Sequence, residues 1–278
     1  MVVHILNLSP PMLPKSIAYC LFLGLWGFSA AFSYAPVYSN KLTKKSDKIL
    51  ADELTRAMKT QAFETYLFRV YERAELSKTN LDLTVFRQAL VGYYNMQRQP
   101  GTAVKPILSI IDFNRSSRQK RLWVVDLRNN KLLYHTYVAH GKGTGNEFAR
   151  SFSNEPNSFK SSLGFYVTAQ TYQGKHGLSL KLNGLDKNFN TNARARAVVV
   201  HGADYVSENF IKQYGRLGRS LGCPALPPKE TQVIINAIKN NTCLYIHGND
   251  RKYSSPYLTE ATAIDSFATQ YFSLKATS

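Results

Sequence analysis

The sequence predicts a mostly β protein carrying a helical extension on its N-terminal side. Three observations support that fold class. Downstream of Lys105, short runs rich in β-branched and aromatic residues recur between turn residues. Upstream, apolar residues recur at helical spacing. A content of 44% hydrophobic and 12% aromatic residues over 278 positions is enough to bury a full core, so the chain is neither disordered nor a disulfide-stapled miniprotein.

The first element is a leader. Lys15 precedes IAYCLFLGLWGFSAAF at 17–32, a stretch too short and too rich in small residues near its end for a membrane span. It reads as a signal peptide over 1–31, with Ser29 and Ala31 as the small residues before the cleavage point. An uncleaved anchor is disfavoured by the length of the stretch. A lipidated Cys20 is disfavoured by the bulk of Tyr19. The expected location is the periplasm or the cell exterior.

Residues 36–105 form the helical extension. From about 41 to 75, charged residues alternate with Leu50, Leu54, Met58, Phe63, Leu67 and Val70. A second helix is predicted over Leu83–Met96, with Phe86, Leu90 and Tyr94 on one face and Asp82 or Thr84 as its cap. Residues 106–250 then form the main domain, with strands expected at Ile107–Asp112, Leu122–Leu127, Leu132–Ala139, Leu163–Thr171 and Ala197–His201. The second and third of these make a hairpin across RNN. A late helix, Pro228–Lys239, opens on a proline where a helix tolerates one and leads into a last strand, Cys243–Ile246. Residues 251–278 read as a C-terminal tail.

The formal net charge is +17, of which Lys15 of the leader carries +1, Pro36–Lys105 +5 and Pro106–Ser278 +11. Such a charge attracts an anionic partner. No lysine- or arginine-rich block long enough for a nucleic-acid tail is present, which leaves an anionic envelope surface: carboxylate-rich wall, lipid headgroup or lipopolysaccharide.

Removal of the leader takes Cys20 with it and leaves Cys223 and Cys243. An oxidising compartment favours reading the pair as a disulfide. The stretch GRSLGCPAL argues otherwise. Gly222 can adopt backbone angles closed to other residues, and Pro224 pushes Cys223 out of the helical region, so the three describe a sharp, fixed turn. A nucleophile that must project needs such a turn, and a structural disulfide does not. A thiol also needs a base, because at its free pKa of about 8.5 it is only a few per cent ionised at neutral pH. Four histidines precede a glycine: His140, His176, His201 and His247. All but His176 end an apolar run, and sequence order alone does not choose among them.

VVVHGADYV followed by GRSLGCPAL resembles the His and Ser-x-Gly-Cys signature of the L,D-transpeptidase catalytic domain, a bacterial cell-wall enzyme family. Upstream, VAHGKGTG, SSLGFYVTAQTYQGKHGLSLKLNGLD and NARARAVVVHGADYV resemble blocks of its murein L,D-transpeptidase catalytic domain-like branch. The resemblance covers roughly 83–248. It implies a β-sandwich or mixed-sheet catalytic domain acting on peptidoglycan stem tetrapeptides through a cysteine thioester, with transfer to an amine or to water. By this resemblance Cys223 is the nucleophile and His201 its base, the N–H groups of Gly222 and Cys223 form an oxyanion hole, and Ser220 orients a partner or touches substrate. Arg194, Arg196, Arg219, Lys142 and Lys175 lie in or beside these blocks, where they can pair with stem-peptide carboxylates. His140 and His176 are placed with them on the substrate side. No cofactor and no metal is expected. Where many members carry a histidine before the glycine, and an arginine or asparagine soon after the cysteine, this chain has Leu221, Pro224 and Ala225.

Two other readings compete. A zinc-dependent cell-wall peptidase would use His140, His176, His201 or Asp204, although no closely spaced ligand pair is present. A non-catalytic peptidoglycan-binding protein would join Cys223 to Cys243. Fractionation combined with N-terminal sequencing tests the leader. A mature chain starting near Phe32 outside the cytoplasm is expected, and a full-length chain soluble in the cytoplasm would remove the envelope substrate.

Overall fold

In a computed structural model the described residues are 37–98 and 104–276, with side chains described for 48–98 and 104–273. The expected signal peptide lies outside them. Two units divide between Lys48 and Ile49. Among the described residues, the first holds only the opening turns of helix α1 (Val37–Arg73). That helix runs long because no glycine or proline interrupts it. Among the described residues no helix is long and apolar enough to cross a membrane.

Helix α2 (Leu83–Gln97) follows, and Asp82 caps it, its carboxylate accepting from Thr84 N at 2.7 Å and Val85 N at 3.3 Å. The strands are β1 (Ile107–Asp112), β2 (Leu122–Asp126), β3 (Lys131–Thr136), β4 (Gly164–Gly174), β5 (Gly177–Gly184), β6 (Val199–Gly202), β7 (Ala225–Leu226) and β8 (Cys243–His247). They form one mixed sheet in the order β3-β2-β1-β8-β4-β5-β6-β7, in which β1 pairs with β8 and β6 with β7 in parallel and the other pairs are antiparallel. The chain stays extended beyond β3, and bridges from Ala139 to Ala225 and from Gly141 to Ser220 bring β7 back to it. The sheet is thus nearly closed on itself, and the architecture is a single mixed sheet rather than two stacked ones.

Alternation along the strands builds two cores on opposite faces. Leu122, Val124, Tyr166, Leu244 and Ile246 line the inner face, where Ile234, Ile235 and Ile238 of α4 (Pro228–Ile238) pack among them. Their neighbours Trp123, Val125, Phe165, Cys243 and Tyr245 face the opposite side and are covered by α1, α2 and α5 (Glu260–Ala276).

Besides the two-residue strand β7, which was also not expected, three elements differ from the sequence expectation. Strand β5, GLSLKLNG, was not expected, although Leu178, Leu180 and Leu182 alternate along it. Helix α3 (Glu208–Tyr214), capped by Ser207 and ended by Gly215 at φ +70°, is too short to carry a periodic signal. The expected tail is instead a structural element. Asp186, buried beside β4, accepts from Phe165 N at 2.8 Å, Tyr253 Oη at 2.8 Å and Ser255 Oγ at 2.5 Å, which ties down the segment after β8. Asn95 Nδ2 then donates to Tyr257 O and Thr259 O at 2.7 and 2.9 Å. Beyond them Phe267 of α5 is 2% exposed and packs edge-on against Phe63 and Tyr94. Phe267→Ala is therefore expected to cost about 3–5 kcal/mol in a denaturant titration, as large core deletions do. A loss under about 0.5 kcal/mol, the size of an ordinary surface substitution, would show that α5 is a tail after all.

Candidate active site

The segment 220–224 runs between β6 and the extended chain at 139–142. Two backbone bonds hold it to that chain, Ser220 N donating to His140 O at 3.0 Å and Lys142 N to Ser220 O at 2.8 Å. Gly222 sits at φ +125°, and a Cβ there would lie 2.9 Å from Lys160 O. The Ser220 hydroxyl closes the turn from within, accepting from Gly222 N at 3.0 Å and donating to Cys223 O at 2.7 Å. From outside, Ser161 Oγ donates to Gly222 O at 3.1 Å while accepting from Gly141 N at 3.0 Å. The sharp turn expected from Gly222 and Pro224 is present, fixed on both flanks.

Cys223 projects from this turn as a free thiol. Val199 N donates to its Sγ at 3.5 Å, and Sγ donates to Ala197 O at 3.6 Å. Ala197 reaches that position with φ +51°, an uncommon left-handed backbone for a residue with a side chain. In the parallel pairing His201 stands opposite Ala225. Cys223 therefore lies abreast of Val199, one two-residue step, about 7 Å along the strand, from His201. Among the described residues no hydrogen bond joins Sγ to the His201 ring. The His201 Nδ1 is 2.9 Å from Gly202 O. A carbonyl only accepts, so Nδ1 carries the proton and the Nε2 lone pair is left to act as a base.

Burial sets the protonation of both groups. It pushes the Cys223 thiol above its ordinary pKa, against the opposing pull of Val199 N–H, Arg196 and Lys175. Burial also pushes His201 below its ordinary value. The Gly202 carbonyl opposes this, while the neighbouring His176 and Lys175 add to it. The resting pair is consequently a neutral thiol beside a neutral imidazole.

The remaining candidates divide. His176 comes to the site, its ring stacked on His201 with centroids 4.6 Å apart and planes at 25°. Together with Lys175 it borders a pocket of about 580 Å³ that also takes in Gly202, Asp204, Tyr205 and Gln232. Arg196 lies against the turn, but its guanidinium donates to Ser153 O, Ser162 Oγ, Ser158 Oγ and Lys160 O, so it acts as a fixed charge and not as a free substrate ligand. Arg219 reaches Asn146 Oδ1 at 2.6 Å and Gly145 O at 3.3 Å. Lys142 lies over the Phe159 ring at 4.3 Å, and Arg194 is exposed. His140 is not at the surface. It is 1% exposed, with Nδ1 taking a 2.8 Å bond from Arg121 and Nε2 3.3 Å from Gly145 O. Burial beside Arg121 lowers its pKa to about 3, so it supports the loop from below as a neutral ring.

Two expected roles change. Gly222 N–H is already bonded to Ser220 Oγ, so of the two expected oxyanion donors only Cys223 N–H has no recorded partner among the described residues. Ser220, 5% exposed, is bonded twice within the turn and braces it, and among the described residues no hydrogen bond joins it to the His201 ring. The His201 ring is met instead by Gly202 O and by the His176 ring. Ser161, Ala197 and Val199 were missed by the sequence reading. All three lay in quoted blocks, Ser161 in SSLG and the other two in NARARAVVVHGADYV, but nothing in one sequence marks Ser161 as touching residue 222 or Ala197 and Val199 as touching the thiol.

Neither the disulfide nor the ligand set of the competing readings forms among the described residues. Cys243 is fully buried in β8 on the helix-covered face, and β4, β5 and β6 stand between it and β7, so the two cysteines are unbonded. Among the described residues no three His, Cys, Asp or Glu side chains converge as metal ligands. His247, the fourth candidate base, bonds Tyr245 Oη and Asn114 at the end of β8. Alkylation of the native protein should therefore modify Cys223 alone, with Cys243 reacting only after denaturant. Peptide mass mapping reads the order, and equal reactivity in the native state would contradict the placement of Cys243.

A model of the L,D-transpeptidase catalytic domain matches residues 77–247, more than half of the chain. No curated protein matches the sequence. Among solved structures, an L,D-transpeptidase from Mycobacterium smegmatis shares 12% identity over 51% of this chain and 59% of its own, with a TM-score of 0.33. L,D-transpeptidase 3 from Mycobacterium tuberculosis shares 9% over 51% and 61%, with a TM-score of 0.33. The helical cell shape determining protein Pgp2 from Campylobacter jejuni shares 9% over 67% and 65%, with a TM-score of 0.36. The chain spans less than two thirds of the length of each of them. With the family match running through the braced turn, its thiol and strand β6, the chain belongs to the L,D-transpeptidase catalytic domain family.

Proposed function

We propose that the protein is an exported cysteine acyltransferase that acts on peptidoglycan stem tetrapeptides, as an L,D-transpeptidase when an amine resolves the intermediate and as an L,D-carboxypeptidase when water does. The observation that supports it best is the free Cys223 thiol on a glycine turn braced by Ser220 and Ser161, one strand step from a neutral His201.

Sγ attacks the carbonyl that joins the third stem residue to the terminal D-alanine, and the thiol proton passes to His201 Nε2. The negative charge that develops on the carbonyl oxygen is received by Cys223 N–H. The C–N bond then breaks, His201 returns its proton to the departing amine of D-alanine, and a thioester remains. An amine or water attacks the thioester carbonyl, gives a proton to His201 and releases Sγ, which takes that proton back. Because thiol and imidazole both rest neutral, proton transfer accompanies attack. Arg196 is held by four acceptors beside the turn, so its charge favours the thiolate without moving. Lys142, Lys175, Arg194 and Arg219 are left to meet stem-peptide carboxylates, and the net charge of +16 that remains once the leader and its Lys15 are removed draws the chain to the wall. Export rests on the leader sequence.

The test is incubation with a disaccharide tetrapeptide and, separately, with a carbapenem as a strained acyl donor. Wild-type protein is expected to release D-alanine or form a cross-linked dimer, and to gain the mass of one ring-opened drug. Cys223→Ala should do none of these, Cys243→Ala should match wild type, and His201→Ala should lose about 10²–10⁴-fold in rate. Turnover of the tetrapeptide by Cys223→Ala would overturn the thiol mechanism.

A further inference from the structure

The family resemblance leaves this chain short of an imidazole, because Leu221 stands where many members carry a histidine before the glycine of the cysteine turn. The structure supplies one from another direction. The β4–β5 hairpin pairs Gly174 with Gly177 and turns through Lys175 and His176. Gly177 at φ +74° permits that two-residue turn, and nothing lies within 4 Å of the Cβ it lacks. Further down the hairpin Ser179 pairs with His201 across β5 and β6. The His176 ring thereby stacks on the face of His201. One hydrogen bond, from Nδ1 to Gly202 O, fixes a point on the His201 ring but not its plane. The stacked ring supplies the second restraint and covers that face from water.

We propose that His176 is a positioning residue for His201, holding the plane of the base from the tip of the β4–β5 hairpin. The role rests on the reading of His201 as the base of Cys223. The groups facing His201 are Lys175 and His176 from the hairpin, the Gly202 carbonyl from its own strand, and the Cys223 turn with Arg196 behind it. Asp204 and Tyr205 lie across the adjoining pocket. On the hairpin side Lys175 and the stacked His176 oppose a charge on His201, in the same direction as its burial. The acid limb of acylation, where His201 takes up a proton, is accordingly expected below the ordinary histidine value of 6.5.

Two substitutions separate the parts of the role. His176→Phe keeps a stacked ring and removes the imidazole nitrogens, and His176→Ala removes both. Carbapenem acylation and tetrapeptide turnover are measured across the acid limb on the full chain, and the His201 ring is titrated by NMR in each variant. His176→Ala should lose roughly ten- to a hundred-fold in kcat, as a loosened catalytic group does, with little change in KM. Its His201 midpoint should move up towards 6.5. His176→Phe should keep most of kcat and show a smaller upward move. If His176→Ala leaves both kcat and the His201 midpoint at wild-type values, or raises KM alone, His176 is not a positioning residue. If the thermal midpoint of unfolding and kcat fall together while the His201 midpoint stays put, the ring is merely structural. The NMR titration needs no turnover, so an inactive wild type with a shifted His201 midpoint would reject the proposed reaction while retaining the stacking role.

Discussion

Two glycines back to back make the site. A Cβ on Gly141 would lie 2.8 Å from Gly222 Cα and 2.9 Å from Gly222 N, so the cysteine turn and the chain beyond β3 approach more closely than side chains allow. That approach lets Ser220 bond back to His140 and lets Ser161 bridge Gly141 to Gly222. It also carries the sheet round to near closure, since the bridge from Ala139 to Ala225 lies just beyond. The inner core packed around α4 and the placement of the thiol therefore share one constraint. The φ of +125° at Gly222 adds the second reason that only glycine serves there.

Within that frame electrostatics decides the chemistry. A buried thiol and a buried imidazole each resist charge, and a separated ion pair would bear both desolvation costs at once. The opposing pull comes from fixed donors: Val199 N–H on the sulfur, and the Arg196 guanidinium held by Ser153, Ser158, Lys160 and Ser162. Such donors do not reorganise when charge develops, which makes them more useful at a transition state than in the resting protein. The Cys223 amide, without a hydrogen-bond partner among the described residues, fits the same logic, because the neighbouring Gly222 amide is committed to keeping the turn in shape.

Local signals in the sequence were legible and long-range ones were not. Strand β1 falls at the residues its apolar run predicts, α4 begins on Pro228 as expected, and Asp82 caps α2. The turn at Gly222 was readable because glycine and proline act on their own backbone. The position of His176 was not, because its stacking depends on the length of a hairpin whose second strand was itself unassigned. Ser220 was read as a ligand or orienter because its hydroxyl faces inward only once the turn is closed. His140 looked like a strand-end candidate, and only the buried Arg121 beside it reveals a support. Helix α5 was missed for a related reason: Phe267 and Ala263 are apolar, but the surface that makes them core belongs to α1 and α2.

The central claim is that the carbonyl of the substrate becomes bonded to the sulfur at residue 223. Acid quenching during turnover of the tetrapeptide, followed by digestion and mass mapping, observes that bond directly. The account predicts a thioester on the peptide containing Cys223, with its mass increased by the stem peptide less D-alanine. D-alanine release accompanied by no covalent species, or by one mapped to Cys243, would contradict it.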